Sequence, residues 1–229
     1  AIEPILIKGW AAAGLYPERA LRPYDDIDLW VRPSDYAAAS AILATYWIDL
    51  HGGVIELKGR SFDQVFERSR LVDLGGETVR VLASEDHLAL LAIHLLKHGA
   101  WRPLWLCDIG AAIESLPPRF DWDICFGQNK KRASWIACAV KLAQRLLRAN
   151  IPEQPSAVSN QELPNWLVRS VLREWEDPFA ISKPPMNYGL PIIDQLRHPN
   201  DVWKAIRDRW PNPILATISV KGKLNSAPR

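Results

Sequence analysis

The fold is decided by two short stretches of sequence, Ile5-Leu-Ile-Lys-Gly9 and Asp26-Ile-Asp-Leu-Trp-Val31. Each is rich in apolar residues over a few positions, which is typical of a buried strand. Between them, the Ala-rich residues 10–16 end at Pro17 and predict a short helix directly after a glycine turn. The sequence therefore predicts the order strand, turn, helix, strand at the start of the chain.

The next residues extend this pattern into a small mixed sheet with flanking helices. A helix is predicted from Pro33 through Tyr46, and a third strand at Val54-Ile-Glu-Leu57 after Gly52-Gly53. Residues 71–74 and 77–82 flank the pair Gly75-Gly76, which predicts a β-hairpin. Residues 1–83 thus form an α/β unit in this interpretation.

From Ser84 onwards the apolar residues follow a helical period. The predicted helices are 84–99, 103–115, 132–149 and 165–176. Prolines beyond Pro178 break the remaining sequence into short pieces, so that a helix is predicted only at 200–209 and frayed structure at 219–229. We divide the chain into the α/β unit at 1–83, a helical region packed on it at 84–150, and a basic, mainly helical or irregular extension at 151–229.

Composition narrows the class of protein. The chain has 229 residues, of which 48% are hydrophobic and 24% charged, and this balance is typical of a soluble globular protein. No apolar run approaches the roughly 20 residues that cross a bilayer, so we expect no membrane partner. The three cysteines show no C-x-x-C spacing, which disfavours a disulfide framework and favours the cytoplasm. Because Ala1 directly precedes a strand-like run, we expect an N-terminal segment to be missing.

Charge is distributed unevenly along the chain. Residues 130–229 carry sixteen basic and eight acidic side chains, although the net charge of the whole chain is only +2. One interpretation is a solvated basic face, and the other is an anionic partner such as a nucleotide, a nucleic acid or an acidic substrate. The basic residues are spread rather than clustered. This spread favours the solvated face and disfavours a nucleic-acid partner, which remains an alternative.

Three carboxylates are candidates for a metal site. Asp26 and Asp28 are two residues apart at the start of a strand, so their side chains point to the same side. Glu56 lies within the predicted strand 54–57; if that strand neighbours 27–31, one Mg²⁺ cluster explains all three acids. The alternative is that Asp26 belongs to a turn and that Glu56 pairs with an arginine such as Arg22.

The order of these parts resembles a known superfamily. Residues 6–31 read LIKGWAAAGLYPERALRPYDDIDLWV, in which a glycine turn, a helix and a D-x-D motif follow one another. This order resembles the nucleotidyltransferases with the polymerase-β-type minimal fold, and more closely it is similar to the broad group of bacterial uncharacterised nucleotidyltransferases. The likeness continues through residues 84–88, 93–98 and 106–109. It implies an α+β fold, namely a minimal nucleotidyltransferase core at 1–83 with a small mixed sheet and flanking helices, followed by a helical region.

The resemblance also implies roles for individual residues. Asp26, Asp28 and Glu56 would be the catalytic residues and would bind two Mg²⁺ ions, with Mn²⁺ as the alternative ion. Gly9 would let the backbone approach a triphosphate at the start of helix 10–16. The full set of candidates for binding the nucleoside triphosphate is Lys8, Gly9, Trp10, Arg22 and Lys97.

The implied activity is transfer of a nucleoside monophosphate, AMP from ATP in the first instance, with release of pyrophosphate. The acceptor would be a hydroxyl or phosphate of a small molecule, a peptide or a protein. Two departures stand out: Trp10 follows Gly9 where the superfamily has Ser or Gly, and Glu56-Leu-Lys58 replaces an Asp followed by a His in closer relatives. The alternatives are a non-catalytic nucleotide-binding or toxin–antitoxin-type interaction protein, and an RNA-modifying nucleotidyltransferase.

Several other residues leave two interpretations open. His87, His94 and His98 share a helix face and would form a second metal site with Asp108, or would be packed residues with Asp108 orienting one imidazole. Arg22 bridges to Asp25 or clamps a phosphate. Lys97 reaches a phosphate or is solvated, and Trp10 and Trp30 stack a base or pack in the core.

Overall fold

The computed structural model describes residues 2–151, 154–176, 214, 219–220 and 223–224. Its central feature is a five-stranded mixed sheet with the strand order β3-β2-β1-β5-β4. β1 is antiparallel to β2 and parallel to β5, β2 is parallel to β3, and β4 and β5 form an antiparallel hairpin. The strands are β1 Ile5–Leu6, β2 Ile27–Trp30, β3 Ile48–His51, β4 Arg70–Leu74 and β5 Glu77–Val81.

Three helices flank the sheet in the first part of the chain. They are α1 Trp10–Ala13, α2 Tyr36–Leu43 and α3 Phe62–Arg68, with short 3₁₀-helices at Arg19–Leu21, Pro33–Asp35 and Ile55–Leu57. Sequence reasoning did not predict α3, although it begins with a capping box. There the Ser61 hydroxyl accepts a hydrogen bond from the Gln64 amide, and the Gln64 side chain accepts one from the Ser61 amide.

The strand predicted at 54–57 is wrong. The third strand is instead β3, which precedes Gly52 and Gly53, and Ile55–Leu57 forms a 3₁₀-helix. The buried guanidinium of Arg132 donates hydrogen bonds to the carbonyls of Ile55 and Glu56. These carbonyls are therefore satisfied by a side chain rather than by a neighbouring strand.

Six helices follow the sheet within the described residues up to 176. They are α4 Ser84–Lys97, α5 Pro103–Glu114, α6 Trp122–Phe126, α7 Lys130–Leu147, α8 Ser156–Ser159 and α9 Asn165–Glu174. The structure confirms the four predicted helices, with ends shifted by one or two residues, and adds the short helices α6 and α8. Together with the mixed sheet, they confirm the predicted α+β class.

One hydrophobic core joins the sheet to these helices. α4 contacts α5, α6, α7 and the 55–57 turn, and buried side chains from β1 to α9 belong to a single cluster. α4 is buried along most of its length because helices and sheet surround it, which explains its run of leucines and alanines. The division of the chain at residues 83 and 150 stays a prediction.

The C-terminal part is described only in pieces. Ser219–Val220 (β6) pairs antiparallel with Lys223–Leu224 (β7), so a short strand pair occurs within the stretch predicted to be frayed. The predicted helix 200–209 and most of the basic extension lie outside the described residues. In the part of the chain that the structure describes, no helix has the length and apolar character needed to cross a membrane.

Candidate functional site

Two aspartates lie side by side on the parallel strands β2 and β3. The register pairs Asp28 with Asp49, and His51 follows two residues later on the same strand. His51 Nε2 lies 3.0 Å from Asp28 Oδ1 and 3.2 Å from Asp49 Oδ2. Asp28 is buried, whereas the Asp49 side chain is 54% exposed. The two carboxylates therefore form one cluster that opens to solvent at Asp49.

A lysine from the neighbouring turn completes this cluster, which we call the strand group (Lys8, Asp28, Asp49 and His51). The Lys8 ammonium lies 2.6 Å from Asp28 Oδ1. Burial on its own would raise the pKa of Asp28, but the contacts with His51 and Lys8 outweigh burial and lower it. Asp28 is consequently an anion at neutral pH, which is the state that a metal ion or a cationic side chain requires.

Asp26 and Gly9 lie beside the strand group. Asp26 is exposed and directly precedes β2. Gly9 has a φ of 50°, and a Cβ atom at this position would lie 2.7 Å from the Asp26 carbonyl oxygen. Glycine is therefore required here because the β1–α1 turn passes close to the protein's own backbone. The helix that follows is only four residues long, shorter than the predicted helix 10–16.

Glu56 belongs to a different cluster, the helix group (Glu56, His94, Lys97 and His98). Glu56 Oε1 lies 3.0 Å from Lys97 Nζ and 3.3 Å from His94 Nδ1. The predicted position of Glu56 on a strand beside the aspartates is thus wrong, because the 55–57 turn directs its side chain to α4. Burial would raise the pKa of Glu56, but the contacts with His94 and Lys97 hold it far below its usual range.

The imidazoles of the helix group are held by aromatic packing. The rings of His94 and His98 lie 4.5 Å apart, and Trp105 packs against them at 4.9 Å and 5.3 Å. Burial, with the neighbouring His94 and Lys97, lowers the pKa of His98 to about 4. The Lys8 charge contributes to the same shift, so the strand group and the helix group are electrostatic neighbours.

Arg22 pairs with Asp108 and not with Asp25, the partner in one of its two predicted roles. Its guanidinium donates to both carboxylate oxygens of Asp108, at 3.1 Å and 2.8 Å, and Tyr16 donates to the same carboxylate at 2.8 Å. Arg22 and Asp108 are both buried. Asp108 therefore anchors the loop before β2 onto α5 and does not orient an imidazole, as one interpretation predicted. The role of Arg22 as a phosphate clamp stays a prediction.

The two tryptophans near the site are packing residues. Trp10 is 9% exposed, and the Arg19 guanidinium lies 3.9 Å from its ring centre. Trp30 is 3% exposed and meets Phe62 edge to face. Of the two interpretations of these residues, the structure therefore supports core packing rather than stacking on a base.

The two charged groups lie apart from a surface pocket of the chain. A surface pocket of about 470 Å³ lies between the α1 end and helix α5, where Tyr16, Cys107 and Glu114 are among its lining residues. Residues of the strand group and the helix group do not line it. We place the chemistry at the two charged groups, because an active site needs titratable side chains that converge.

Sequence reasoning missed Asp49 and His51. The signal was the alternation Ile48-Asp-Leu-His51, which is typical of a half-buried strand and ends at Gly52-Gly53. In the structure the third strand lies before the two glycines, whereas the sequence prediction placed it after them. With the strand moved ahead of the glycines, an Asp and a His two residues apart come to lie beside the D-x-D motif.

Comparison with known proteins finds one family model that matches part of this chain. The family model described as uncharacterised nucleotidyltransferase matches residues 44–148, which is a little under half of the chain. No curated protein and no solved structure matches. The matched segment contains β3 and the whole helix group, whereas Gly9, Asp26 and Asp28 precede it. The resemblance to the uncharacterised nucleotidyltransferase family is therefore confirmed over residues 44–148.

Proposed function

We propose that the chain is a Mg²⁺-dependent nucleotidyltransferase whose catalytic carboxylates are Asp26, Asp28 and Asp49. It transfers a nucleoside monophosphate, AMP from ATP in the first instance, to a hydroxyl or phosphate of a small molecule, a peptide or a protein. The observation that carries the proposal is the pairing of Asp28 with Asp49 across β2 and β3. The family match over residues 44–148 supports the same class of reaction.

The donor atoms of the strand group fit a divalent cation. One ligand atom each from Asp28, Asp49 and His51 lies within 4.8 Å of the others. Mg²⁺ and Mn²⁺ are held in proteins by one or two carboxylates and take their remaining ligands from water and phosphates. When bound, such an ion neutralises phosphate charge and lowers the pKa of an acceptor hydroxyl. Asp26, exposed at the start of β2, is the third carboxylate at this edge.

The remaining residues bind the phosphates and move the proton. Lys8, which pairs with Asp28, supplies a positive charge beside the phosphates. The acceptor oxygen forms a bond to the α-phosphorus while the bond from that phosphorus to the bridging oxygen breaks, and pyrophosphate leaves with the bonding electrons. We assign the acceptor proton to Asp49 Oδ2, whose negative charge is stabilised by the His51 imidazole at 3.2 Å.

The test combines nucleotide binding with product release. ATP and the other nucleoside triphosphates are offered with Mg²⁺, and we expect at least one to raise the melting temperature, because a ligand of the folded state stabilises it. Pyrophosphate release is then measured with a sugar, a hydroxyl-containing peptide and tRNA as acceptors. Asp28→Asn should abolish release, and Asp63→Asn, an exposed aspartate of α3, is the matched control.

Three outcomes would contradict all or part of the proposal. Undiminished pyrophosphate release by the Asp28→Asn variant would show that the strand group is not catalytic. Binding of a nucleotide without release with any acceptor would favour the non-catalytic nucleotide-binding protein. Release with tRNA alone would replace the proposed acceptors by RNA.

A further inference from the structure

We propose that the helix group is a second metal site, in which Glu56, His94 and His98 bind a transition-metal ion such as Zn²⁺. This site is separate from the strand group and does not depend on the proposed transfer reaction. The ligands are one carboxylate oxygen from the 55–57 turn and two imidazole nitrogens, one from His94 in α4 and one from His98, which caps the C-terminal end of α4.

The geometry brings the three donors to one point. A ligand atom from each residue lies within 4.8 Å of those of the other two. His94 and His98 are four residues apart at the C-terminal end of α4, so their imidazoles project from the same face. Zinc–ligand bonds are about 2.0–2.2 Å long for nitrogen and oxygen donors, so one ion bridges three atoms at this separation after small side-chain rotations.

The surroundings hold these ligands in position. Arg132 is buried and donates to the backbone carbonyls of Ile55 and Glu56, which fixes the turn that carries the carboxylate. Trp105 packs against both imidazoles and restricts their rotation. Residues that orient ligands in this way raise metal affinity, because less conformational freedom is lost on binding.

The donor types select the class of metal. Two imidazoles with one carboxylate favour Zn²⁺, Fe²⁺ or Co²⁺ over Mg²⁺, which prefers oxygen ligands alone. Three protein ligands also leave a coordination position open for water or a substrate. The strand group offers two carboxylates and one imidazole, a set with more oxygen donors than the helix group.

Lys97 provides an internal competitor for the metal. Its ammonium lies 3.0 Å from Glu56 Oε1 and has to leave this oxygen when an ion binds. The Lys97 side chain is 39% exposed, so it moves into solvent at low cost. Removal of the Lys97 charge should therefore strengthen metal binding. If the helix group has only a structural role, the same change should not increase metal affinity.

The first test is a Co²⁺ titration of the full chain in excess Mg²⁺, followed by visible absorption and reversed with Zn²⁺. We expect one Co²⁺ site with nitrogen ligands, and His98→Gln should lower the affinity by at least about tenfold. The matched control is His51→Gln in the strand group, which should leave the spectrum and the affinity unchanged. Equal affinity in His98→Gln and the unaltered chain, or loss of the spectrum in His51→Gln alone, would overturn the proposal.

The second test does not depend on the folding of the histidine variants. Lys97→Met should increase the Co²⁺ affinity by about tenfold, since one charge-assisted contact to Glu56 no longer competes. A lower melting temperature with unchanged or weaker Co²⁺ binding in this variant would assign the helix group a structural role and reject the metal site.

Discussion

The strand group and the helix group use the same three kinds of side chain and differ in how the backbone presents them. In each group a lysine ammonium contacts a buried carboxylate: Lys8 contacts Asp28, and Lys97 contacts Glu56. A histidine also lies within 3.3 Å of each of these carboxylates. Two parallel strands bring two aspartates together in the strand group. One helix brings two imidazoles together in the helix group. The comparison teaches that secondary structure shapes the donor set: two adjacent strands pair two carboxylates, whereas two residues four apart at one helix end pair two imidazoles.

The largest expected effect is the loss of activity when Asp49 is neutralised. Asp49→Asn should lower the rate of pyrophosphate release by at least about a hundredfold, because a metal-binding carboxylate is lost. The free energy of unfolding should change by less than about 0.5 kcal/mol, since the side chain is exposed. Initial rates and chemical denaturation provide the two measurements. If Glu56→Gln reduces the rate as strongly as Asp49→Asn, the two groups form one site and the comparison fails.

The next effect concerns stability and its dependence on pH. Glu56→Gln should reduce the free energy of unfolding by about 2 kcal/mol at pH 7, because Lys97 and His94 lose a charged acceptor. The pKa of Glu56 is lowered from 4.5 in the folded state, so the folded chain binds this proton less readily than the unfolded chain. Its contribution is complete above pH 4.5 and is lost as the pH falls below that value.

Denaturant unfolding at pH 7 and at pH 3 measures this effect. The difference between Glu56→Gln and the unaltered chain should shrink at pH 3. A difference that stays constant over this range would mean that the Glu56 carboxylate is not stabilised as an anion, and the description of the helix group would be wrong.

The smallest expected effect concerns the contribution of Lys8 to nucleotide binding. Lys8→Met should raise the KM for the nucleoside triphosphate by about tenfold, the equivalent of one charged contact to phosphate. Lys58→Met, an exposed lysine directly after the 55–57 turn, is the matched control and should leave KM unchanged. Equal KM values for both variants in steady-state kinetics would remove Lys8 from the nucleotide site.

Sequence patterns predict the local elements well and the contacts between them poorly. The β4–β5 hairpin and α4 follow from a glycine pair and a helical period, both of which are local signals. The placement of Asp28 on a buried strand was also predictable. The assignment of the third strand failed, because a glycine pair marks a strand end without saying on which side the strand lies.

Long-range contacts of two buried arginines explain positions that sequence patterns do not predict. Arg22 and Asp108 are separated by 86 residues, and Arg132 reaches Glu56 across 76 residues. Neither contact can be recognised from residues close together in the sequence, since the two partners lie on separate helices or turns. The position of Glu56 depends on the second pair, and its assignment to the aspartate site was therefore wrong.

Arg22 and Arg132 have a further consequence for how this protein evolves and is engineered. Both arginines cross between the α/β part and the helices, one toward α5 and the other from α7 back to the 55–57 turn. A replacement helical region from another protein would have to supply an acid for Arg22 and a guanidinium for the turn, because a buried charge without its partner is costly. Recombination within this chain is therefore constrained to preserve both pairs.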